Sequence, residues 1–293
     1  MGWPLDRPGR RRLGALLSLL GNHDPQGFLI PYRHAAGVRP RRSPAVEALL
    51  RLHEPVALAW LERAAKELAI LEPLLGQPPA PRFAQDWFPR LDGLLAFAMV
   101  AAWRPRRIVE IGSGHSTRFM AAAIAHYGLI CAFTAIDPAP RADIARLPVR
   151  HEARLFDAAC LPLLADLAAD DILFIDSSHV AMPGTDVDLL LGEVVPSLAP
   201  GVIVHVHDIF LPDPYPPSWT WRGYNEQTLL GALLLGGVLE PLIANHWMAR
   251  QHEGALRRLG LDRIALSAGA FESSLWARRP AHQGLSNQKV SGA

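Results

Sequence analysis

Short apolar runs alternate with helix-like segments from residue 107 onward, and this alternation restricts the fold more than any other feature. Seven runs have the character of strands, at 107–112, 131–136, 148–152, 171–176, 201–207, 240–246 and 272–278. Helix-like segments lie between most of them, at about 116–127, 139–146, 158–168, 185–197 and 225–236. The inner runs are almost continuously apolar, as strands covered on both faces are. We therefore expect an α/β fold, with a Rossmann-like, mostly parallel seven-stranded sheet and helices on both faces.

The chain before residue 86 has a different character. Residues 43–75 carry apolar residues at helical spacing, Ser43 and Pro44 are typical of a helix start, and Pro55 is expected to split the stretch. A short amphipathic helix is expected around 10–21, and 76–83 has the composition of a linker. We predict three parts, which are an N-terminal helical accessory segment over 1–85, the main α/β domain over 86–280 and a disordered tail over 281–293.

Composition excludes several classes of protein. Lys and Arg number 29 against 28 Asp and Glu, which gives no overall attraction to nucleic acid. The 2 cysteines form neither a disulfide framework nor a CxxC zinc motif, which fits a cytoplasmic protein. The longest apolar stretch, 229–244, is too short to span a bilayer. We expect no nucleic-acid partner and no membrane span. The apolar segments 13–20 and 45–75 fit either packing on the sheet or a homodimer interface.

A glycine turn follows the first strand-like run, in RIVEIGSGHSTRF at 107–119. Gly112 and Gly114 allow a tight turn and the close approach of a ligand. Thr117 stands where a dinucleotide fingerprint has its third glycine, and no GK[ST] follows, so neither a pyrophosphate site nor a P-loop is favoured. Asp137 ends the second run, 25 residues after Gly112, where an acid accepts hydrogen bonds from a ribose diol. A ligand with a ribose and no phosphate, S-adenosylmethionine (SAM), fits this pattern.

At these residues the chain resembles the class I SAM-dependent methyltransferases. VEIGSGHST is similar to their first motif and AIDP to their second, and the resemblance extends over roughly 86–279. It implies that the last strand is antiparallel and lies beside the fifth. It also implies a set of cofactor contacts: Glu110, Gly112, Gly114 and Ser116 at the amino-acid end of SAM, Asp137 at the ribose, Phe156 and Asp157 at the adenine, and Asp176 at the end of the fourth strand. Phe156 also fits plain core packing, and Asp157 also fits a helix N-cap.

Polar residues end the fourth and fifth runs, in FIDSSH and VHVHDIF. In one interpretation Asp176, His207 and Asp208 bind a divalent metal, Mg²⁺ for the carboxylates or Mn²⁺, Fe²⁺ or Zn²⁺ if His207 or His179 takes part. This resembles the metal-dependent subset of the family, which holds a substrate diol with acids at these strand ends. In the other, His179 or His207 is a general base that Asp208 orients. A third interpretation is that these residues have no catalytic role and only shape the pocket. We expect this of His205.

The substrate wall is predicted in the loop 211–227, which carries Tyr215, Trp219 and Tyr224 and is stiffened by prolines. A rigid loop packed on the sheet is the alternative. Tyr32 and Arg33, in FLIPYRHA, are candidates for a cap over the pocket, and Arg33 suits a carboxylate or a phosphate. FLIPYRHA, DWFPRLDG and NEQ together resemble a bacterial group within the same family.

The predicted function is a SAM-dependent methyltransferase that acts on an oxygen or nitrogen of a small molecule, with or without the assistance of a divalent metal. Three alternatives stay open. The first is an NAD(P)-dependent oxidoreductase on a Rossmann sheet, which the glycine pattern disfavours. The second is an RNA methyltransferase that uses the basic N-terminal residues. The third is a SAM-binding protein that transfers no methyl group, because fold alone does not fix function.

Overall fold

A seven-stranded sheet forms the centre of the molecule. The computed structural model describes residues 6–20, 27–28, 30 and 32–281. The strands are β1 Arg107–Ile111, β2 Ala132–Ile136, β3 Arg150–Glu152, β4 Ile172–Ile175, β5 Ile203–Val206, β6 Glu240–Ala244 and β7 Leu275–Arg278. Their order in the sheet is β3-β2-β1-β4-β5-β7-β6. All seven predicted strands are present, and the Rossmann-like fold class is confirmed.

The direction of the last strand also agrees with the prediction. β1 pairs in parallel with β2 and with β4, and β4 pairs in parallel with β5. β7 is antiparallel to both of its neighbours, β5 and β6. Strand order changes direction between β1 and β4, so the crevice at their carboxyl ends is where a ligand is expected to bind.

Helices precede the first strand and connect several of the others. They are α1 Arg7–Leu20, α2 Pro44–Leu52, α3 Glu54–Leu71, α4 Arg90–Trp103, α5 His115–His126, α6 Asp186–Leu189, α7 Val195–Ser197, α8 Glu226–Leu235, α9 Asn245–Gln251 and α10 Glu253–Arg258. A π-helical turn, Leu190–Val194, joins α6 to α7. Within the described part of the chain, none of the helices combines the length and apolar character that crossing a bilayer requires.

The helices before the sheet begin and end close to the residues that the sequence predicts. The Ser43 hydroxyl accepts from the backbone N–H of Val46 at the start of α2. The break between α2 and α3 falls at His53, two residues before Pro55. α3 packs on α4 and on β6, so its apolar side is covered by the main domain. The domain boundaries remain predictions, and the predicted tail, 281–293, lies outside the described residues apart from Ala281.

Two of the predicted helices are wrong or shortened. No helix forms over 139–146, because a side chain there takes a backbone donor that a helix would use. Asp143 accepts from the backbone N–H of Ala145 at 3.0 Å, a donor that a helix would pair with the carbonyl of residue 141. The segment predicted at 158–168 contains only a 3₁₀ helix, Ala158–Leu163.

α4 and α5 approach closely at one glycine. A Cβ atom on Gly93 of α4 would lie 2.5 Å from the ring of Phe119 on α5. Phe119 is fully buried, so its ring has little room to move aside. The close packing of these two helices therefore depends on a residue without a side chain at position 93.

Gly93→Ala is expected to destabilise the protein by up to about 2 kcal/mol. Overpacking costs about 1–3 kcal/mol, and the better helix propensity of alanine offsets about 1 kcal/mol. Urea unfolding of the wild type, Gly93→Ala, Phe119→Leu and the double variant measures the effect. We expect the alanine to cost less in the Phe119→Leu background. Equal or greater stability of Gly93→Ala alone would contradict this packing.

Candidate active site

The glycine turn brings the ends of β1 and β4 into contact. Gly112 has φ of 77°, in the left-handed region, and a Cβ atom there would lie 1.8 Å from the carbonyl oxygen of Asp176. The backbone N–H of Asp176 donates to the carbonyl of Ile111 at 2.8 Å. Residue 112 must therefore be glycine for both steric and conformational reasons.

Glu110 lies beneath this turn and is completely buried. Its carboxylate accepts from the hydroxyls of Ser116 at 2.5 Å and Thr117 at 2.6 Å. Burial raises the pKa of Glu110 to about 8, although the two hydroxyl donors oppose the shift. Neither Glu110 nor Ser116 is among the described residues that line the two cavities at the carboxyl ends of β1, β4 and β5. In this structure they tie β1 to the start of α5, and their predicted contact with SAM stays a prediction.

A cavity of about 310 Å³, the turn cavity, lies beside the glycine turn. Gly112, Asp137, Phe156 and Asp176 are among its lining residues, so four of the predicted cofactor residues lie together. Asp137 accepts from the backbone N–H of Ser113 at 2.6 Å, which aligns the turn with the end of β2. The volume lies at the lower end of the range typical of ligand sites.

Two further predicted cofactor residues, in addition to Glu110 and Ser116, lie apart from this cavity. Gly114 precedes α5, and its N–H donates to the Thr117 hydroxyl at 2.9 Å. Asp157 caps the helix Ala158–Leu163 through the N–H of Ala159 and pairs with Arg154 at 2.8 Å. The alternative of a helix N-cap therefore describes what Asp157 does here, and its contact with adenine is untested.

Four side chains converge at the carboxyl ends of β4 and β5, and we call them the histidine centre: Asp176, His179, His207 and Asp208. His179 Nε2 is 3.2 Å from Asp176 Oδ1 and 3.5 Å from Asp208 Oδ2. His207 Nδ1 is 3.5 Å from Asp176 Oδ1 and 3.5 Å from Asp208 Oδ1. Both imidazoles thus present one nitrogen to the same two carboxylates.

The other nitrogen of each imidazole meets a buried acid. His179 Nδ1 contacts the carboxylate of Glu226, at the start of α8. His207 Nε2 lies 3.4 Å from Asp92 Oδ2, on α4. Glu226 and Asp92 are both fully buried. Such acids fix the tautomer and the orientation of an imidazole, as the outer acids of many metal sites do.

Asp92 is in turn held by several donors. Its carboxylate accepts from Asn245 Nδ2 at 2.7 Å and from the backbone N–H groups of Ser273 and Ser274 at 3.1 and 3.0 Å. The hydroxyl of Ser273 lies 3.2 Å from Asp208 Oδ1. The segment before β7 therefore supports His207 through Asp92 and contacts Asp208 directly.

Two members of the histidine centre have strained backbones. His179 has φ of 62° and Asp208 has φ of 56°. Non-glycine residues adopt this left-handed conformation rarely, and such residues concentrate at functional sites. The strain aims both side chains at the same point, and the surrounding hydrogen bonds hold them there.

The local charges raise the pKa of both imidazoles. Burial alone lowers the pKa of His179, but Glu226, Asp176 and Asp208 outweigh it and raise the pKa well above its usual value. Burial likewise lowers the pKa of His207. Asp208, Asp176 and Asp92 outweigh this effect and raise the pKa well above its usual value.

His205 lies outside the centre. It is completely buried, stacks on Phe174 with ring centroids 3.6 Å apart, and has its Nε2 at 2.8 Å from the hydroxyl of Ser274. Burial lowers its pKa well below the usual value. The prediction of a core histidine describes this residue.

A second cavity of about 120 Å³, the histidine cavity, opens over the histidine centre. Trp219 lines it, as predicted for a substrate wall. Tyr224 packs on His179 with ring centroids 4.4 Å apart, and the rings of Tyr215 and Tyr224 are edge to face with centroids 6.0 Å apart. The two cavities adjoin, because Asp176 and Arg141 line both.

Tyr32 and Arg33 lie outside both cavities in the described part of the chain. Tyr32 is exposed and packs edge-on against His34, and Arg33 Nε bonds to the ring of His34 at 2.8 Å. The structure thus brings neither residue to the predicted pocket, and their role as a cap is a prediction that no contact supports.

Sequence reasoning missed Asp92, Arg222 and Glu226. Asp92 had a usable signal, because an acid inside the apolar helical run 91–102 must find a partner when that run is buried. Arg222 had none, since an arginine in a polar loop is usually solvated. Its guanidinium here lines the histidine cavity.

Comparison with known proteins identifies part of the chain. Residues 109–209 match the model of a family described as "Methyltransferase domain". The match spans β1 to the end of β5 and includes the glycine turn and the histidine centre. The methyltransferase that the first and second motifs predict is therefore confirmed over this domain. A search of curated proteins finds no match.

Solved structures that match the chain share little sequence with it. One is the O-methyltransferase TomG from Streptomyces achromogenes, involved in tomaymycin synthesis and solved with SAM, at 18% identity over 84% of this chain and 94% of that one, with a TM-score of 0.41. Another is the plantazolicin methyltransferase BpumL, solved with a triazolic desmethylPZN analog and SAH, at 13% identity over 80% of this chain and 100% of that one, with a TM-score of 0.39.

Glu110→Gln is expected to gain stability relative to the wild type as the pH rises from 4.5 to about 8. The pKa of Glu110 lies at about 8 in the folded protein and near 4.5 when unfolded. In that range the folded state holds a proton that the unfolded chain releases, so the contribution of Glu110 to stability falls as pH rises. Glutamine has no such dependence. Urea unfolding of both proteins at several pH values in this range measures the difference, and a pH-independent difference would contradict the assignment.

Proposed function

Residues 109–209 form a methyltransferase domain, and on that premise we propose that the chain transfers a methyl group from SAM to an oxygen or nitrogen of a small molecule, beside a divalent metal. One observation carries the proposal: the turn cavity and the histidine cavity adjoin at Asp176 and Arg141. A cofactor in the first and an acceptor in the second would be neighbours, as in-line transfer requires.

The turn cavity suits a nucleoside without phosphates. Asp137 has a carboxylate at its wall, which supports a role in accepting hydrogen bonds from a ribose diol. Phe156 lines the same cavity and supplies an apolar surface for a base. The hydroxyl of Thr117, which stands in place of the third fingerprint glycine, is already bonded to Glu110. This arrangement favours SAM over the NAD(P) alternative.

The donor atoms of the histidine centre fit a metal ion. Asp176, His179 and Asp208 each offer one ligand atom, and these atoms all lie within 4.8 Å of one another. Ligands at bond lengths of about 2.1 Å and right angles are roughly 3 Å apart, close to the 3.2 and 3.5 Å separations seen here. His207 Nδ1, 3.5 Å from both carboxylates, is a fourth candidate ligand.

The donor chemistry favours a transition metal over Mg²⁺. Mg²⁺ prefers oxygen ligands alone, whereas Mn²⁺, Fe²⁺ and Zn²⁺ accept imidazole nitrogen. Glu226 behind His179 and Asp92 behind His207 form the carboxylate–histidine pairs that are common in such sites. Such a metal, when bound, would lower the pKa of an acceptor hydroxyl, so that the oxygen loses its proton more readily and becomes a better nucleophile.

The remaining interpretation of the centre, in which His179 or His207 is a free general base, has less support. A base must be unprotonated at the working pH, and the surrounding carboxylates raise the pKa of both imidazoles. A protein that binds SAM without methyl transfer has no observation in its favour. The finding that would revive it is SAM and metal binding without methyl transfer to any of a broad set of hydroxyl and amine acceptors.

Asp137→Asn is expected to weaken SAM binding about ten- to a hundredfold, because hydrogen bonds to a charged acceptor contribute about 1.5–3 kcal/mol. Calorimetric titration with SAM measures the change. Asp143→Asn is a matched control, since Asp143 makes the same kind of turn nearby and lies outside the turn cavity. Equal SAM affinity in Asp137→Asn and Asp143→Asn, or binding of NAD(H) but not SAM by the wild type, would contradict the proposal.

Asp208→Asn is expected to reduce Mn²⁺ affinity by about a hundredfold or more. Loss of a residue that only supports a ligand costs about 10–100-fold in metal affinity, and this substitution removes the charge of a ligand itself. Asparagine tolerates the left-handed backbone at this position, so the fold is retained. The wild type is expected to bind Mn²⁺ more tightly than Mg²⁺, and calorimetry on the chelated protein measures both affinities.

Asp170→Asn is the matched control for this metal experiment. Asp170 also has a left-handed backbone, with φ of 71°. It precedes β4 and therefore lies at the amino end of this strand, opposite the histidine centre. Its substitution is expected to leave the Mn²⁺ affinity unchanged. An equal loss in Asp170→Asn and Asp208→Asn, or no Mn²⁺ binding by the wild type, would overturn the metal site.

A further inference from the structure

The guanidinium of Arg222 is enclosed by aromatic rings at the wall of the histidine cavity. Its Cζ lies 4.0 Å from the ring centroid of Trp219 and 5.3 Å from that of Tyr224. Its Nη1 donates to the hydroxyl of Tyr224 at 3.1 Å and lies 4.0 Å from Asp208 Oδ2. Stacking and this hydrogen bond hold the plane of the guanidinium in one orientation.

One donor of this guanidinium is unused. Arg222 Nε is buried and has no hydrogen-bond partner among the described residues. A buried donor left unpaired costs about 1–3 kcal/mol, so such groups call for an explanation. The side of a guanidinium that carries Nε binds carboxylates in a bidentate manner. The unpaired atom therefore points to an oxyanion as the missing partner.

Three aromatic side chains stand among the charged and polar residues that line the histidine cavity. Trp87, Trp219 and Phe271 line it, and the rings of Trp219 and Phe271 pack edge to face with centroids 5.6 Å apart. A volume of about 120 Å³ is below the usual range for a whole ligand. The cavity therefore suits one planar group of an acceptor, with the rest of the molecule outside.

The charge balance around the cavity also favours an anion. Arg141 stacks on Trp87 at 4.2 Å, so a second guanidinium stands at the cavity wall. Asp86, which is exposed, adds one negative charge there. A divalent cation at the histidine centre would balance Asp176 and Asp208. Among the residues that line the cavity, the two arginines then exceed Asp86 by one positive charge, while the buried acids Glu226 and Asp92 lie behind the histidines and outside the lining.

We propose that the acceptor is a planar aromatic compound that carries a carboxylate, and that the Nε side of Arg222 binds this carboxylate. The proposal rests on the proposed function, because it assigns the histidine cavity to the methyl acceptor. Arg222 does not line the turn cavity in the described residues, so its role is separate from binding of the cofactor. The aromatic ring lies between the aromatic walls.

The test compares aromatic carboxylates with their neutral amides. Calorimetry on the protein saturated with S-adenosylhomocysteine and Mn²⁺ measures binding of 4-hydroxybenzoate, 4-hydroxyphenylacetate and 4-hydroxycinnamate and of the three matching amides. The wild type is expected to bind the carboxylates about tenfold or more tightly, the effect of one charge-assisted hydrogen bond. In Arg222→Met the preference is expected to disappear. Arg222→Lys is expected to restore part of it, because lysine keeps the charge and loses the bidentate geometry.

Arg63→Met is the matched control, since Arg63 also stacks on a tryptophan, Trp60, at 5.2 Å and lies outside the histidine cavity. It is expected to leave the preference unchanged. Three results would overturn the proposal: no carboxylate binds the wild type, the preference survives in Arg222→Met, or Arg222→Met loses affinity for S-adenosylhomocysteine. The last would assign Arg222 to the cofactor. The proposed function fails separately, if the wild type binds neither SAM nor Mn²⁺.

Discussion

Charge held away from water at the carboxyl ends of β4 and β5 is the constraint on which the rest of the structure depends. Buried imidazoles and carboxylates are tolerated only when they are paired with one another. His179 meets this condition through Glu226, and His207 meets it through Asp92, while both share Asp176 and Asp208. Removing one partner would leave a buried charge uncompensated.

This pairing connects elements that are far apart along the chain. Asp92 comes from α4, Glu226 from the start of α8, and Ser273 from the segment before β7. Each must lie within a few tenths of an ångström of its place for the hydrogen bonds to form. The helices on the sheet therefore have a second function besides covering apolar strands, since they deliver the acids that orient the two histidines.

The fold could be predicted from the sequence because its signals are local. Each strand is a short apolar run, and the turn after β1 needs glycine. Asp137 follows the apolar run of β2 directly, so its place at the carboxyl end of that strand can be read from the sequence. The same alternation places the ends of β4 and β5 side by side, so Asp176, His179, His207 and Asp208 were expected together. The antiparallel position of β7 came from resemblance to a family, and hydrophobic pattern alone would not have indicated it.

The rest depends on contacts between distant residues. His207 meets Asp92 115 positions away, and His179 meets Glu226 47 positions away. Neither pairing has a sequence signal beyond an acid in an apolar helix. The helix expected over 139–146 is absent for a local reason, since the Asp143 side chain accepts from the backbone N–H of Ala145. Tyr32 and Arg33 were predicted near the site from composition alone, and composition does not determine where a segment packs.

A crystal structure of the protein grown with Mn²⁺ and S-adenosylhomocysteine tests the central claim most directly. The account predicts an anomalous manganese peak bounded by Asp176, His179, His207 and Asp208, with the nucleoside against Asp137 and Phe156 and the sulfur atom facing the histidine cavity. Nucleoside density elsewhere, or no manganese peak among these four side chains, would contradict it.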